Sequence, residues 1–340
     1  MTPSMDAQKA QLSDRLMDLA AGGDAGMHVA PGAQIHISHP FNEGSGPDHL
    51  AAPIAALRVA FDHVTRRDQI LVGGDNLPDP RFIGQRSGQL IATMGVYQGV
   101  FARPFLDIPP THGVATLRFC EVYACDAQTG QITQAWLLWD FLDLMDQAGV
   151  SPLPRSFGAQ QAWQPPQSAD GVRWTTAPGA GRSTMDTVLA MHAALGKFDG
   201  VSLDSMPYST YWTDDFLWYG PGGIGTTQGL NGFRAHHQIP FLTAFPDRAG
   251  ASHYIRVGDG PYGVTGGWPS VTATHSGPWL GIGPTGRPIS MRVMDFYRVA
   301  SDGRIAENWV PLDVIHVALQ MGVDVFERLR HITGTPRLTL

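Results

Sequence analysis

Residues 130–150 read GQITQAWLLWDFLDLMDQAGV, and residues 303–323 read GRIAENWVPLDVIHVALQMGV. At a constant offset of 173, Gly130 matches Gly303, Ile132 matches Ile305, Trp136 matches Trp309 and Asp140 matches Asp313. Gln147 and Gln320, Gly149 and Gly322, and Val150 and Val323 continue the series. Seven identities in 21 positions, one of them a tryptophan pair, are hard to obtain by chance. The chain therefore reads as a tandem repeat of one fold. Its period lies far above the roughly 20–50 residues of solenoid repeats. Upstream, Ala92-Thr93 resembles Ala273-Thr274, and Thr111 precedes its strand much as Thr285 does.

The segmentation follows from the repeat. Glycine (40) and proline (26) are spread along the chain, which means many turns, and they are densest between Ser151 and Gly181. That stretch lacks periodicity and reads as a linker. The expected organisation is a first unit over 1–150, a linker over 151–181, a second unit over 182–330 and a tail over 331–340. A length of 340 residues suits two domains at roughly 100–200 residues each.

Composition narrows the class. With 16% charged residues and 9 Trp the chain is not of the disordered kind. The net charge of −7 argues against nucleic acid, whose binders carry a basic surplus. Cys120 and Cys125 supply neither a disulfide framework nor a zinc site and read as small core residues. The N-terminal stretch Met1–Met17 has no apolar core or cleavage site of a signal peptide, and no apolar run is long enough to span a membrane. A cytoplasmic protein is the expectation.

Periodicity places the elements. A first helix is expected from Asp6 to Ala21. A second, from Ser183 to Leu195, puts Met185, Val188, Leu189, His192 and Leu195 on one face, with Ser183 and Asp186 as a capping pair and Gly196 as a stop. A shorter helix is expected around 227–244. Over 287–299, alternation puts Ile289, Met291, Val293, Asp295, Tyr297 and Val299 on one strand face. In the first half Ala115, Leu117, Phe119, Glu121, Tyr123 and Cys125 repeat the design, so Glu121 falls where Asp295 does. A carboxylate on a core face must be paired, hydrogen-bonded or neutralised. Asp295 is thus either a pocket acid or a structural acid paired with Arg292, Arg298 or a backbone amide.

From Thr274 to Val323 the chain carries H-x-G (His275, Gly277), G-x-x-P-T-G-R (Gly281 to Arg287), D-G-x-I-x-E-x-W (Asp302 to Trp309), then Asp313 and Q-x-G-V (Gln320 to Val323). With AFPDR (Ala244 to Arg248) upstream, this resembles the polyketide-cyclase (SnoaL-like) branch of the nuclear-transport-factor-2-like superfamily. The resemblance covers most of 184–330. The first half departs from it: H-x-G is absent there, and VFARPFLDIPP is inserted before Thr111. The fold implied is α+β: two tandem cone-shaped barrels, each a curved, mainly antiparallel sheet wrapped around helices. Family members pair through the sheet, which implies an intramolecular pseudo-dimer and leaves further self-association open.

The resemblance also implies chemistry. Family cyclases use an aspartate beyond the E-x-W strand as acid/base in a cofactor-free aldol reaction, and Asp313 holds the matching position. A position before a helix equally makes Asp313 and Asp140 good N-caps. His275 suits donation to a substrate and also closure of a turn. Trp309, Trp279, Trp268, Tyr219, His237 and Phe245 are the expected pocket wall around Asp313, Asp295 and His275. Glu121, Asp140 and Trp136 are the corresponding residues of a second site. Since His236 and His237 are adjacent on a helix, at most one faces inward. No metal and no cofactor are expected: the histidines lack ligand spacing, and GPGGIGT (220–226) lacks the lysine of a phosphate loop. Two classes stay open. One is a cofactor-independent enzyme that cyclises, isomerises or hydrolyses an apolar or aromatic carbonyl compound. The other is a non-catalytic small-molecule binding or association module.

Overall fold

The computed structural model describes residues 3–79 and 88–334, and in it the two halves run through one order of elements. The first half forms α1 (Met5–Ala21), α2 (Ala25–His28), β1 (Val29–Ile37), β2 (Asn42–Ser45), α3 (Pro47–Ala60), β3 (Phe61–Asp75), β4 (Gln89–Phe101), β5 (Val114–Cys125), β6 (Ile132–Trp139) and α4 (Phe141–Gln147). The second forms α5 (Arg182–Leu195), α6 (Tyr208–Tyr211), β7 (Trp212–Tyr219), β8 (Thr227–Gln228), α7 (Gly229–Phe233), a π-turn over 234–238 and α8 (Ile239–Ala244). There follow β9 (Ala249–Gly250), β10 (Ile255–Asp259), β11 (Tyr262–Thr274), β12 (Pro288–Val299), β13 (Ile305–Trp309), α9 (Val314–Gln320) and α10 (Val325–Thr333).

Local chemistry accounts for the helix ends. In α1, Leu12, Leu16 and Leu19 share a buried face, the Ala7 amide donates to Ser4 Oγ, and Gly22 closes the helix in a left-handed conformation. In α5 the buried stripe is Met185, Val188 and Met191. The capping pair expected at Ser183 and Asp186 does not form. The helix begins one residue earlier, behind Gly181, without a side-chain cap. Packing decides this start: a Cβ on Gly181 would lie 2.0 Å from the Gly258 carbonyl carbon.

Both sheets have the same topology. Their orders are β2-β1-β6-β5-β4-β3 and β10-β11-β12-β13-β7-β8, with β9 added to β11. Within each, one pair is parallel, β1 with β6 and β7 with β13, and the other pairings are antiparallel. Register corrects one sequence match. Thr93 lies opposite Glu121, and Thr265 lies opposite Asp295, so the counterpart of Thr93 is Thr265 rather than Thr274. The offset drifts because the connections between these strands differ in length.

Each curved sheet wraps one face around its own helices, giving two α+β cones in tandem. The opposite faces pack on each other. Val72, Met94, Val122 and Trp136 of the first sheet share one apolar cluster with Val257, Val264, Phe296 and Trp309 of the second. Burying side chains of this size contributes roughly 1.5–3 kcal/mol each, so this layer is a core in its own right. It also buries both faces of β5 and β12.

The segment 151–181 is packed rather than free. Trp163 is buried against Tyr219, Val172 bridges to Leu71, and the Gln164 carbonyl accepts from Trp309 Nε1 at 2.8 Å. At the other end, α10 continues to Thr333, three residues past the expected boundary, because Asp324 caps it and Gly334 closes it. Residues 335–340 of the expected tail lie outside the described residues. Among the described residues no helix is long and apolar enough to cross a membrane.

Candidate active site in the second cone

The two cones differ in what faces their core-side carboxylates. In the first, Glu121 is fully buried and saturated. Arg66 pairs with it at 2.7 Å, and Tyr123 Oη and Trp139 Nε1 donate to it at 2.7 and 2.9 Å. The Arg66 guanidinium also meets Asp68 at 2.9 Å and lies over the Phe119 ring. The space a ligand would need is filled by an ion pair and aromatic rings. Glu121 and Trp136 therefore do not make a second site together: Glu121 is in the plugged cone, and Trp136 belongs to the layer between the sheets.

In the second cone, Asp295 takes the equivalent place with different neighbours. Asn308 Nδ2 is 3.5 Å from its carboxylate, and the Tyr297 hydroxyl lies beside it. Among the described residues no cation pairs with it. Arg292 and Arg298, the partners a structural acid would need, project from the opposite strand face. Arg292 pairs with Asp313 at 3.2 Å, and Arg298 pairs with Glu307. Without compensating charge, burial pushes the Asp295 carboxyl up to about 7. Tyr297 is held well above the usual tyrosine range by burial and then by the neighbouring carboxylate.

Strand length explains the contrast. β3 runs for 15 residues and carries Arg66 and Asp68, whereas β10 has only 5. The stretch that plugs the first cone has no strand counterpart in the second. In its place opens a cleft of roughly 960 Å3, walled by α5, the π-turn, α8 and β9. His192 of α5 lines this cleft, and its Nε2 is 2.9 Å from Tyr297 Oη. The ring of His253 packs edge-on to His192 with centroids 5.3 Å apart. A hydrogen-bonded path thus runs from the cleft through His192 and Tyr297 to Asp295. The aromatic Phe198, Phe233 and Phe241 supply apolar wall.

The π-turn aims His237 into the cleft, where it stacks on Trp218 at 4.2 Å. Burial alone lowers His237 to about 3, so the ring is neutral. His236 turns instead to Phe157. An extra residue in a helical turn re-aims side chains, and such turns recur at functional sites.

The other expected site residues lie elsewhere. Asp313 is at the junction of the two halves. Its Oδ1 accepts from the His316 amide at 3.1 Å and caps α9, while Oδ2 accepts from the His39 amide at 2.8 Å and from Arg292. Since Arg292 and Asp295 point to opposite faces of β12, Asp313 is not brought to Asp295. Asp140 caps α4 in the same way. Trp309 and Tyr219 stack at 5.0 Å in the inter-sheet layer, not at the cleft. Trp268 donates to Glu43 of the first half at 2.8 Å and covers Arg292. His275 is fully buried, with Nδ1 3.0 Å from Thr285 Oγ1, and forms the turn after β11. Phe245 packs on His275 and Trp279 and reaches the cleft only through Phe241. Of the expected set, His237 lines the cleft and Asp295 communicates with it. His192, Tyr297 and Asn308 complete the arrangement. His192 was visible in the sequence only as a member of a helix face. Among the described residues no group of three or more His, Cys, Asp or Glu is placed to hold a metal ion.

Two curved sheets, each wrapped on its own helices and joined back to back, define a tandem α+β cone protein with an acid set into each cone. Residues 199–321, most of the second cone, match the family described as SnoaL-like polyketide cyclase. No curated protein matches the chain. Among solved structures, IdmH of Streptomyces antibioticus, a candidate polyketide cyclase, is 28% identical, with 41% of this chain and 99% of that one covered and a TM-score of 0.33. AclR of Streptomyces galilaeus, a candidate hydroxylase, is 22% identical over 42% of this chain and 82% of its own, with a TM-score of 0.33. A candidate SnoaL-like polyketide cyclase from Jannaschia sp. CCS1 is 17% identical over 44% and 97%, with a TM-score of 0.34.

Proposed function

We propose that this chain is a cofactor-independent enzyme with one working site, in the second cone, that moves a proton at carbon beside the carbonyl of an apolar compound. The observation that carries this is the Asp295 carboxyl, which has no cation beside it among the described residues, is set at about 7 and is linked through Tyr297 to the cleft-lining His192. At neutral pH such a carboxyl is populated in both forms, so it both takes up and returns a proton.

The step is balanced within the chain. His192 takes the proton from the carbon beside the carbonyl at one ring nitrogen and passes one from the other to Tyr297. Tyr297 in turn gives its hydroxyl proton to Asp295. The C–H electron pair becomes an enolate. When the enolate carbon attacks a second carbonyl of the same molecule, the proton returns along the path to the new alkoxide. Neutral His237, backed by Trp218, and the phenylalanines give the ring system an apolar bed.

The test is proton exchange. A naphthyl 1,3-diketone incubated with the protein in D2O should take up deuterium between its carbonyls faster than the buffer rate. General acid–base assistance is typically worth ~10²–10⁴-fold. Asp295→Asn and His192→Gln should each remove most of that acceleration while the diketone still binds. Binding without accelerated exchange in the wild type would leave the non-catalytic binding module as the function. Exchange untouched in a folded Asp295→Asn protein would sink the assignment of Asp295.

A further inference from the structure

Arg248 stands at the wall of the same cleft, at the end of the AFPDR stretch. It is half-buried, and its guanidinium carbon lies over the Phe198 ring at 5.7 Å from the centroid. Among the described residues no carboxylate pairs with it. The nearest acid in sequence, Asp247, is turned away, its Oδ1 accepting from the Thr274 amide at 2.8 Å. Asp204, on the preceding connection, is taken by Arg234 at 2.8 Å. Burial lowers the Arg248 pKa, and only the Tyr208 phenol, not a carboxylate, opposes that shift. Among the described residues the buried arginines Arg66, Arg118, Arg256 and Arg292 each meet a carboxylate, as does half-buried Arg298, whereas half-buried Arg15 donates to the Met27 and Thr129 carbonyls instead.

An arginine kept partly out of water without a counter-charge is costly unless something else brings the charge. A guanidinium offers a planar fork of donors that fits a carboxylate in two parallel hydrogen bonds. The rest of the wall is mainly Phe, Leu, Val, Ile and Met, with His192 and neutral His237 supplying its ring nitrogens and Gln238 Nε2 donating to Tyr208 Oη. We infer that the cleft takes a ring-bearing apolar molecule that carries a carboxylate, and that Arg248 receives this carboxylate. The inference rests on reading the cleft as the substrate site. It sets the orientation: the carboxylate end lies at Arg248 by β9, and the reacting ketone lies toward His192.

Two small probes separate the possibilities, 2-naphthoate and its methyl ester, with binding to the full chain followed by titration calorimetry. The wild type should bind the acid at least about tenfold more tightly than the ester, the scale of one charge-assisted pair. That preference should shrink as salt is raised to about 0.5 M. Arg248→Met should abolish the preference and leave ester binding near the wild-type value, and Arg248→Lys should keep part of it. Equal binding of acid and ester by the wild type would overturn the inference while leaving the cleft reading intact. A preference that survives in Arg248→Met would overturn it as well. Binding of neither probe would refute the cleft reading and this inference together. If Arg248→Met fails to fold, the acid-to-ester ratio and its salt dependence in the wild type still decide.

Discussion

Asp140 and Asp313 each cap a helix of their own half and reach across to a backbone amide of the other. Asp140 Oδ2 accepts from Gly222 N at 2.8 Å, and Asp313 Oδ2 accepts from His39 N at 2.8 Å. Register makes the two contacts equivalent. Trp136 lies opposite His36, and Trp309 lies opposite Tyr219, so residue 39 of the first half corresponds to residue 222 of the second. An arginine completes each, Arg118 for Asp140 and Arg292 for Asp313. The pair of aspartates is therefore a reciprocal clasp across the two cones.

The clasp predicts what substitution at Asp313 does. Asn keeps the cap on α9 but withdraws the charge from buried Arg292, whereas Ala loses both. Removing one member of a buried pair costs roughly 3–5 kcal/mol. Asp313→Ala should fall in that range and Asp313→Asn below it, measured by urea unfolding. Neither should lower deuterium exchange in the protein that remains folded. An Asn variant of wild-type stability that has lost exchange would return Asp313 to the role of base.

Gly222 makes the clasp sensitive to a single methyl. A Cβ there would sit 2.7 Å from Asp140 Oδ1 and 2.6 Å from Leu142 Cβ. Overpacking of this kind costs typically ~1–3 kcal/mol. Gly222→Ala should destabilise by about that much, and combining it with Asp140→Ala should cost less than the sum. Additive losses in a double-mutant cycle would show that the two residues do not act through one contact.

Much of this architecture was legible beforehand, and the failures have physical causes. The repeat, the helix of the second cone and the equivalence of Glu121 with Asp295 followed from identity and period. Alternation along a strand says which residues share a face, but both faces of β5 and β12 are buried, so apolar pattern alone did not separate cone interior from inter-sheet layer. Trp309 and Tyr219, expected in the pocket from the resemblance, lie in the inter-sheet layer, to which the resemblance assigns no residues. Asp313 carried two meanings, helix cap and base, at one position. Arg66 sits in a charged run, DHVTRRDQ, that looks like a solvated face until the sheet closes over it. The cleft depends on the shortness of β10, which no residue type announces.

Plugging of the first cone is testable through Arg66. Arg66→Met leaves Glu121 buried without its cation and should destabilise by roughly 3–5 kcal/mol. Adding Glu121→Gln should recover a large part of that loss, because the charge that needed pairing is gone. Deuterium exchange should stay at the wild-type rate in the double variant, since the working site is in the other cone. A loss of exchange there with folding intact would show that the first cone takes part in the chemistry.

Trp309 distinguishes a layer residue from a pocket residue. It is fully buried, stacked on Tyr219 and bonded to the Gln164 carbonyl. Truncation of such a ring costs about 3–5 kcal/mol. Trp309→Phe, which keeps most of the ring and loses the hydrogen bond, should lower the melting temperature and leave naphthoate affinity unchanged. A change in affinity at constant stability would move Trp309 back to the cleft.

Asp295 should leave its mark on the pH dependence of stability. Its carboxyl is raised from an ordinary value near 3.8 to about 7 in the folded protein. Below the ordinary value both folded and unfolded forms are protonated, and the residue has no differential effect. Between that value and about 7 the unfolded chain ionises while the folded one keeps its proton, so stability contributed by this site falls as pH rises. Above 7 the folded state carries the full cost of ionising this carboxyl, on the order of 4 kcal/mol at most. Asp295→Asn removes the titration. The variant should therefore be more stable than the wild type at pH 8, and the gain should shrink steadily to nothing by pH 4. Denaturant midpoints measured across that range decide the matter. A variant no more stable at pH 8 than at pH 4, relative to the wild type, would mean that Asp295 ionises as an ordinary carboxylate and has no proton to exchange with the cleft at neutral pH.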